Sequence, residues 1–346
     1  MYIKFVNEEN KYIFISIWLM LITLLVALMI VVGGLTRLTD SGLSITQWEL
    51  VSGIIPPFTS EQWDKYFSLY KKIPEYQLIN SSMTLDQFKV IFWWEYIHRL
   101  LGRLIGLVYF IPLVYFSWKR SFNKKKLISL YSIFILILMQ GFIGWYMVQS
   151  GLTERTDVSH YRLSLHLTLA FIIYILLLWN YMNHKDESNL MGYKKIPYFL
   201  PFIFLILLIT QISLGALVSG LDAGKIYPTW PLMNESYFPD DTNFKDLFYL
   251  KSLESPSLVQ FLHRNLAYLI FFLFLFMSIL VFKNNEFYYL RKFILIIFFL
   301  ILLQIFLGIF TILSDVNILI ASMHQIGSII LVSAALILVF KNSKIN

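Results

Sequence analysis

Apolar residues run in eight long stretches along this chain: Tyr12–Gly34, Val90–Trp118, Leu127–Val148, Arg162–Trp179, Ile196–Ser219, Leu258–Phe282, Phe293–Leu313 and Leu319–Phe340. A bilayer core of about 30 Å needs roughly 20 mostly apolar residues of helix to cross it. The pattern therefore predicts eight transmembrane helices and an all-α, polytopic membrane protein. The first stretch is too long for a signal peptide and lacks a small-residue cleavage site, and its removal would leave an odd helix count; it reads as a helix. Between the first two stretches, Thr59–Lys72 and Met83–Lys89 have helical spacing with Trp63, Tyr66, Phe67, Tyr70 and Phe88. That predicts short helices lying at the membrane interface. Asp40-Ser41-Gly42 and Asp222-Ala223-Gly224 predict turns ending the first and fifth helices. Gly34, Gly102, Gly106, Gly144 and Gly308 predict close helix approach; Gly102 and Gly106, four apart, could equally make room for a bound planar group.

Composition agrees: 58% of the 346 residues are hydrophobic and 14% charged, whereas a soluble domain is about half apolar and a quarter charged. The net charge of +7 invites a nucleic-acid reading, but the basic residues are dispersed over alternate loops. Lys119, Arg120, Lys124, Lys125 and Lys126 occupy one, Lys185, Lys194 and Lys195 the next, then Lys283, Arg291 and Lys292, with Lys341 and Lys344 in the tail. By the positive-inside rule these segments are cytoplasmic and so are both termini. The long segments Thr36–Lys89 and Gly220–Pro256 then face outward. Cys is absent, which excludes disulfides, iron–sulfur clusters and thiolate ligands.

The eight stretches fall into two groups of four. A shift of 182 positions matches Gly33 with Gly215, Leu35 with Leu217, Asp40 with Asp222, Gly42 with Gly224 and Trp48 with Trp230. A shift of 165 matches His98-Arg99 with His263-Arg264; a shift of 164 matches Gln140 and Gly144 with Gln304 and Gly308; a shift of 158 matches His166 with His324. Four helices per copy keep both copies in one orientation, so the architecture expected is two parallel-repeat four-helix bundles, residues 1–182 and 183–346.

Four of the six histidines, His98, His166, His263 and His324, lie near the starts of helices two, four, six and eight. Those helices run from outside to inside, so the four imidazoles share a depth near the outer surface. Neutral imidazole suits heme iron, and two facing helices can supply one axial ligand from each side of a porphyrin. The pairing expected is His98 with His166 and His263 with His324. Zinc fits less well, since its protein ligand sets need three or four groups around one ion. His160, in an outer loop, and His184, in a cytoplasmic loop, are expected to be solvated.

Arg99 and Arg264 directly follow two of these histidines. A guanidinium there can bind a heme propionate bidentately or snorkel to lipid headgroups; the repeated His-Arg favours the propionate. Glu95 precedes His98 by three positions, on the same helix face, and its repeat mate is Gln260. The halves are therefore alike in iron ligation and unlike in acid–base capacity. The chemistry is expected in the N-terminal half, with Glu95 as proton acceptor or stabiliser of a developing cation. The other reading of Glu95 is an ion pair with Arg99 or Arg103.

The stretches GGLTRLTDSGLSITQWELVSGIIPP (33–57), PEYQLINSSMTLDQFKVIFWWEYIHRLLGRLIG (74–106), GWYMVQSGL (144–152), GALVSGLDAGKIYPTWPLMN (215–234), QFLHR (260–264) and MHQ (323–325), with His166, resemble the heme A synthase family in its proteobacterial and mitochondrial form. The resemblance covers essentially the whole chain. It implies an oxidoreductase of the cell inner membrane, in cytochrome oxidase assembly, that oxidises a methyl group of heme O to the formyl group of heme A by successive hydroxylations. It implies the substrate heme at His98 and His166, a heme b cofactor at His263 and His324, and a catalytic Glu95. The outer-loop cysteine pair of some bacterial members is missing here. Heme O is then the substrate, heme O synthase a candidate partner, and the electron donor is left unnamed.

Two rival readings have different signatures. A diheme b-type, quinol-oxidising electron-transfer subunit normally needs hemes near both faces, whereas every candidate ligand here is on one side. A transporter with a parallel repeat predicts no heme. For topology, reporter fusions after Asn123 and at Lys344 should read cytoplasmic and one at Asp241 external. A fusion after Asn123 that reports outside removes the common outer depth of the four histidines.

Overall fold

The computed structural model describes residues 2–49, 51–153, 155–185 and 194–344. It is helical, with eight helices long and apolar enough to span a bilayer among the described residues. The chain is an all-α polytopic membrane protein made of two compact units, Met1–Lys185 and Asp186–Asn346.

In the first unit the spanning helices are α1 (Tyr2–Leu38), α4 (Leu85–Trp118), α5 (Lys124–Gln149) and α6 (His160–Lys185), with α2 (Ser60–Tyr70) and α3 (Pro74–Leu78) between α1 and α4. Helix α1 packs on α4 and α6, and α5 on α4 and α6, closing a four-membered ring. The second unit has α7 (Phe199–Gly220), α8 (Pro256–Lys283), α9 (Arg291–Leu313) and α10 (Ile318–Ser343), and again α7 and α9 each pack on both α8 and α10. Along α1 the buried stripe is Ile15, Leu19, Ile22, Val26 and Ile30, while Phe14, Ile17, Leu21, Leu24 and Leu28 are exposed. The two faces are equally greasy. In lipid, close packing rather than water exclusion selects which face turns inward.

Several boundaries differ from the sequence expectation. Met83–Lys89 is no separate interfacial helix: α4 starts at Leu85 and runs unbroken to Trp118. A capping box sets this start, with the Thr84 hydroxyl accepting the Gln87 N–H at 3.4 Å and the Gln87 side chain accepting the Thr84 N–H at 2.9 Å. No breaker then separates Lys89 from Val90. The helix expected over Thr59–Lys72 is α2, capped by Thr59. The turns after α1 and α7 place Asp40 (φ 47°) and Asp222 (φ 49°) in the left-handed region, which Asp tolerates better than most residues.

The outer segment of the first unit is a packed layer. Phe67 and Tyr70 of α2 join Leu43, Ile45, Ile73 and Val158 over Phe88, Phe92 and Tyr96 of α4. Within it Glu75 is buried, accepting a hydrogen bond from Asn80 Nδ2 at 3.3 Å; the same amide donates to the Tyr70 hydroxyl at 2.9 Å. Burial, reinforced by the charges of Asp157, Asp40 and Glu95 and opposed by a hydrogen bond with Tyr70, pushes the Glu75 carboxyl up to about 8.

A carboxyl raised on folding stabilises the fold below its unfolded value and loses that contribution as pH climbs through its folded value. The apparent Tm should therefore fall between about pH 5 and about pH 8 more steeply in the native protein than in Glu75→Gln. Parallel Tm–pH curves for the two would show that Glu75 is not held as the acid.

Candidate functional site

Each of the four histidines expected to ligate lies against a glycine on the spanning helix that precedes its own. A Cβ built on Gly33 of α1 would stand 3.4 Å from Nε2 of His98 on α4. One on Gly144 of α5 would be 3.0 Å from Cε1 of His166 on α6. The corresponding distances are 3.1 Å from Gly215 of α7 to Cε1 of His263 on α8, and 3.2 Å from Gly308 of α9 to Cε1 of His324 on α10. A side chain at any of the last three would push the ring away, so glycine is what lets the imidazole edge meet the backbone of the neighbouring helix.

The histidines are brought together in the expected combinations. His98 and His166 lie within electrostatic reach of each other, as do His263 and His324. Nδ1 of His263 and Nδ1 of His324 are buried without a hydrogen-bond partner. Nitrogen left bare in an apolar bundle is costly unless something binds it. Among the described residues no group of three or more His, Asp or Glu converges as a bare metal-ion site. Two imidazoles in each unit match in number and kind the ligand set of a bis-histidine heme.

His160 is not solvated as expected, and His184 is only partly solvated. His160 is the first residue of α6 and buried, its ring 4.2 Å from that of Tyr161. His184 is in the last turn of α6, stacked on Tyr12 at 4.5 Å, with Nε2 3.1 Å from the Tyr12 carbonyl oxygen. Helix α6 extends at both ends beyond its apolar stretch, which draws both residues out of the loops.

Glu95 is buried on α4 and accepts four hydrogen bonds. Ser44 Oγ and the Ile45 N–H donate to Oε2, each at 2.7 Å, while Arg99 Nε (3.0 Å) and Nη2 (2.6 Å) donate to Oε1. Arg99 also donates to the carbonyls of Ile45 (2.7 Å) and Gln47 (3.2 Å). One helical turn on, Arg103 donates to the Glu49 carbonyl at 2.7 Å. The ion pair read from sequence is thus with Arg99, and this face of α4 grips the outer segment. In the second unit Gln260 Nε2 (3.3 Å) and Arg264 Nη2 (3.0 Å) both donate to the Tyr227 carbonyl, and Arg264 Nη1 donates to Leu232 O at 3.3 Å. Ile45 and Tyr227 are 182 positions apart, so both units grip the same place in the loop. The first does it with a charge pair and the second with neutral and cationic donors.

Sequence reading aligned only halves and so missed a shorter recurrence. QGFIG (140–144), QISLG (211–215) and QIFLG (304–308) each put a glutamine one turn before a histidine-facing glycine. Gln140 Nε2 lies 3.2 Å from a ring nitrogen of His166, and Gln211 Nε2 3.2 Å from one of His263. The remaining glycine, Gly33, is preceded by Met29. Gly106, expected at a close approach, has open space where a Cβ would be.

Residues 16–336 match the profile of a family described as COX15-CtaA, cytochrome oxidase assembly protein. The chain belongs to the COX15-CtaA family. Members named heme A synthase include one from Pelagibacter ubique, 48% identical over 98% of this chain and 99% of its own. Another from Rickettsia felis is 42% identical over 92% of this chain and 95% of its own, and one from Rhizobium etli 40% identical over 91% and 86%. This is the family that the motifs resemble. The match spans both units, so neither four-helix group is a foreign addition to the family fold.

The glycine contacts imply a graded response. Gly215→Val should lower stability by about 1–3 kcal/mol through overpacking against His263, read as a drop in Tm in detergent. Gly106→Ala, with nothing to meet, should leave Tm unchanged. Equal Tm values for the two variants would mean that His263 does not need the close contact.

Proposed function

We propose that this membrane protein is an oxidoreductase that converts heme O to heme A, oxidising one porphyrin methyl group to a formyl group. The observation that carries this reading is the set of four glycine-backed histidines, two per unit, in a chain belonging to a family whose curated members are named heme A synthase. We assign His98 and His166 to the iron of the substrate heme and His263 and His324 to a heme b cofactor. A bound heme b supplies one-electron transfer. The bare Nδ1 atoms of His263 and His324 suit that iron.

The two units differ where reaction and retention call for different groups. Glu95 puts a fixed carboxylate three residues before His98. It is placed to stabilise positive charge developing as hydrogen is lost from the methyl carbon, or to take up a proton released there. Gln260, in the matching position, can do neither. Arg264 Nε is buried with no partner, which leaves it free to donate to a heme propionate. Arg99 has most of its donors engaged on Glu95 and the loop, so its contact with a propionate would use the remaining Nη1 hydrogen. We place the protein in the cell inner membrane with both termini cytoplasmic and the histidines near the outer face. Heme O synthase is the partner that would deliver the substrate.

The test is the heme profile of cells that express Glu95→Gln beside a source of heme O. The substitution is not silent in structure. Whichever way the Gln amide turns, its NH₂ faces a donor, either the Ile45 N–H or the Arg99 guanidinium, and a loss of about 2 kcal/mol is expected. The protein should still fold and keep heme b, while heme O or a partly oxidised intermediate accumulates and turnover falls by about 10²–10⁴-fold. Normal heme A would sink the assignment of Glu95.

A further inference from the structure

The two units match in their histidines but not in what lies below them. The shift that pairs His98 with His263 sets Gly102 against Ala267 and Gly106 against Phe271. The shift that pairs Gly144 with Gly308 sets Gly141 against Ile305. At about 100° per residue, Gly106 points within about 20° of the direction of Glu95, which is buried. A Cβ built on Gly106 meets no atom of the described residues within 4 Å, and neither does one built on Gly141 of α5. At Gly102 it meets only the Met29 methyl group, at 3.3 Å, the end of a flexible thioether. Gly141, Gly102 and Gly106 step away from the histidine level by roughly 4.5, 6 and 12 Å, at 1.5 Å per residue.

Aromatic rings close this lane in each unit, but at different depths. In the first unit Phe134 of α5 stacks on Phe110 of α4 at 4.9 Å, one turn beyond Gly106. In the second, Phe298 of α9 is the counterpart of Phe134, and it lies instead against Phe271 of α8 at 6.3 Å. A ring pair therefore seals the α8–α9 seam at the level where the α4–α5 seam has open space.

Heme O carries a long apolar hydroxyethylfarnesyl tail where heme b has a vinyl group, on the porphyrin edge opposite the two propionates. Propionates directed to Arg99 on the outer side turn the tail edge inward, toward Gly141, Gly102 and Gly106. An isoprenoid chain has no hydrogen bonds to make, so an apolar lane between helices suits it. A heme without the tail needs no lane, and a phenylalanine there fills the interior instead.

We propose that the lane at Gly141, Gly102 and Gly106 is the subsite for the isoprenoid tail of the substrate heme, and that Phe271 and Ile305 close the matching lane so that the second unit takes a heme without a tail. This rests on the assignment of heme O to the first unit and heme b to the second. Acceptance comes from the space at the glycines, and rejection from overlap with the ring, the repulsive element of specificity.

The experiment purifies the full-length protein from cells that make both heme b and heme O, then extracts its hemes and separates them by chromatography. The native protein should carry heme O or A beside heme b. Gly106→Phe and Gly141→Ile, which copy the second unit, should each lower the heme O and A content about 10-fold and leave heme b in place. Heme b added to purified Gly106→Phe should then bind in the first unit and restore a second bis-histidine spectrum, because the obstacle meets the tail and not the porphyrin. Phe271→Ala should take up heme O in place of heme b when heme O is in excess. If Gly106→Phe does not accumulate, Gly141→Ile and Phe271→Ala decide. Native heme O content in the lane variants, or a first unit of Gly106→Phe that takes up neither heme, would overturn the inference and leave the functional reading intact. A native protein with neither heme O nor heme A would overturn the functional reading itself.

Discussion

The contact on which the site depends is an imidazole edge pressed onto a glycine of the neighbouring helix. In a bilayer there is little hydrophobic gain in bringing one helix against another, so association rests on close packing and a few polar contacts. Four glycines, at 33, 144, 215 and 308, let the rings of His98, His166, His263 and His324 meet the facing backbone at 3.0–3.4 Å from a hypothetical Cβ. The contact joins packing to chemistry, because the same approach that seats the helix also directs the ring. In each unit it occurs twice, once on each of the two helices that carry histidine, within a closed ring of four helices.

Around this shared contact the units diverge through polar groups at matching places. At the loop residue that pairs Ile45 with Tyr227, the first unit uses the Glu95–Arg99 pair to grip both the N–H and the C=O. The second unit aims Gln260 and Arg264 at the C=O alone. A buried carboxylate persists only where charge and donors compensate it, and the four donors around Glu95 meet that requirement. They also tie it to the packed outer layer of Phe67, Tyr70 and Phe88. The position of the carboxylate next to His98 and the order of the outer segment are therefore coupled: loosening the loop disturbs Glu95, and removing Glu95 frees Arg99 and the loop.

Much of this was legible in the chain. Eight apolar stretches, the alternation of basic loops, the doubled His-Arg and the Glu95/Gln260 difference all follow from residue type and spacing, because a bilayer imposes length and a repeat exposes what it changes. The whole-chain family match agrees with the motifs that first suggested the family. Helix ends were less legible. The start of α4 at Leu85 depends on a capping box that begins at Thr84, ahead of the apolar run, and the burial of His160 and the partial burial of His184 follow from the extension of α6 past its apolar core.

By itself, then, the sequence determined the class of protein, the number of spans, the candidate ligands and the one acidic residue that distinguishes the halves. It left open whether Glu95 pairs with Arg99 or Arg103, and which glycines seat the histidines. It also left open that Gln140 and Gln211 reach across to His166 and His263 while Met29 occupies the corresponding place facing His98's helix. Tertiary structure decided these points because each is a contact between helices. Spacing along one helix fixes only which residues share a face, whereas the rotation and depth at which two helices meet come from packing along their whole length.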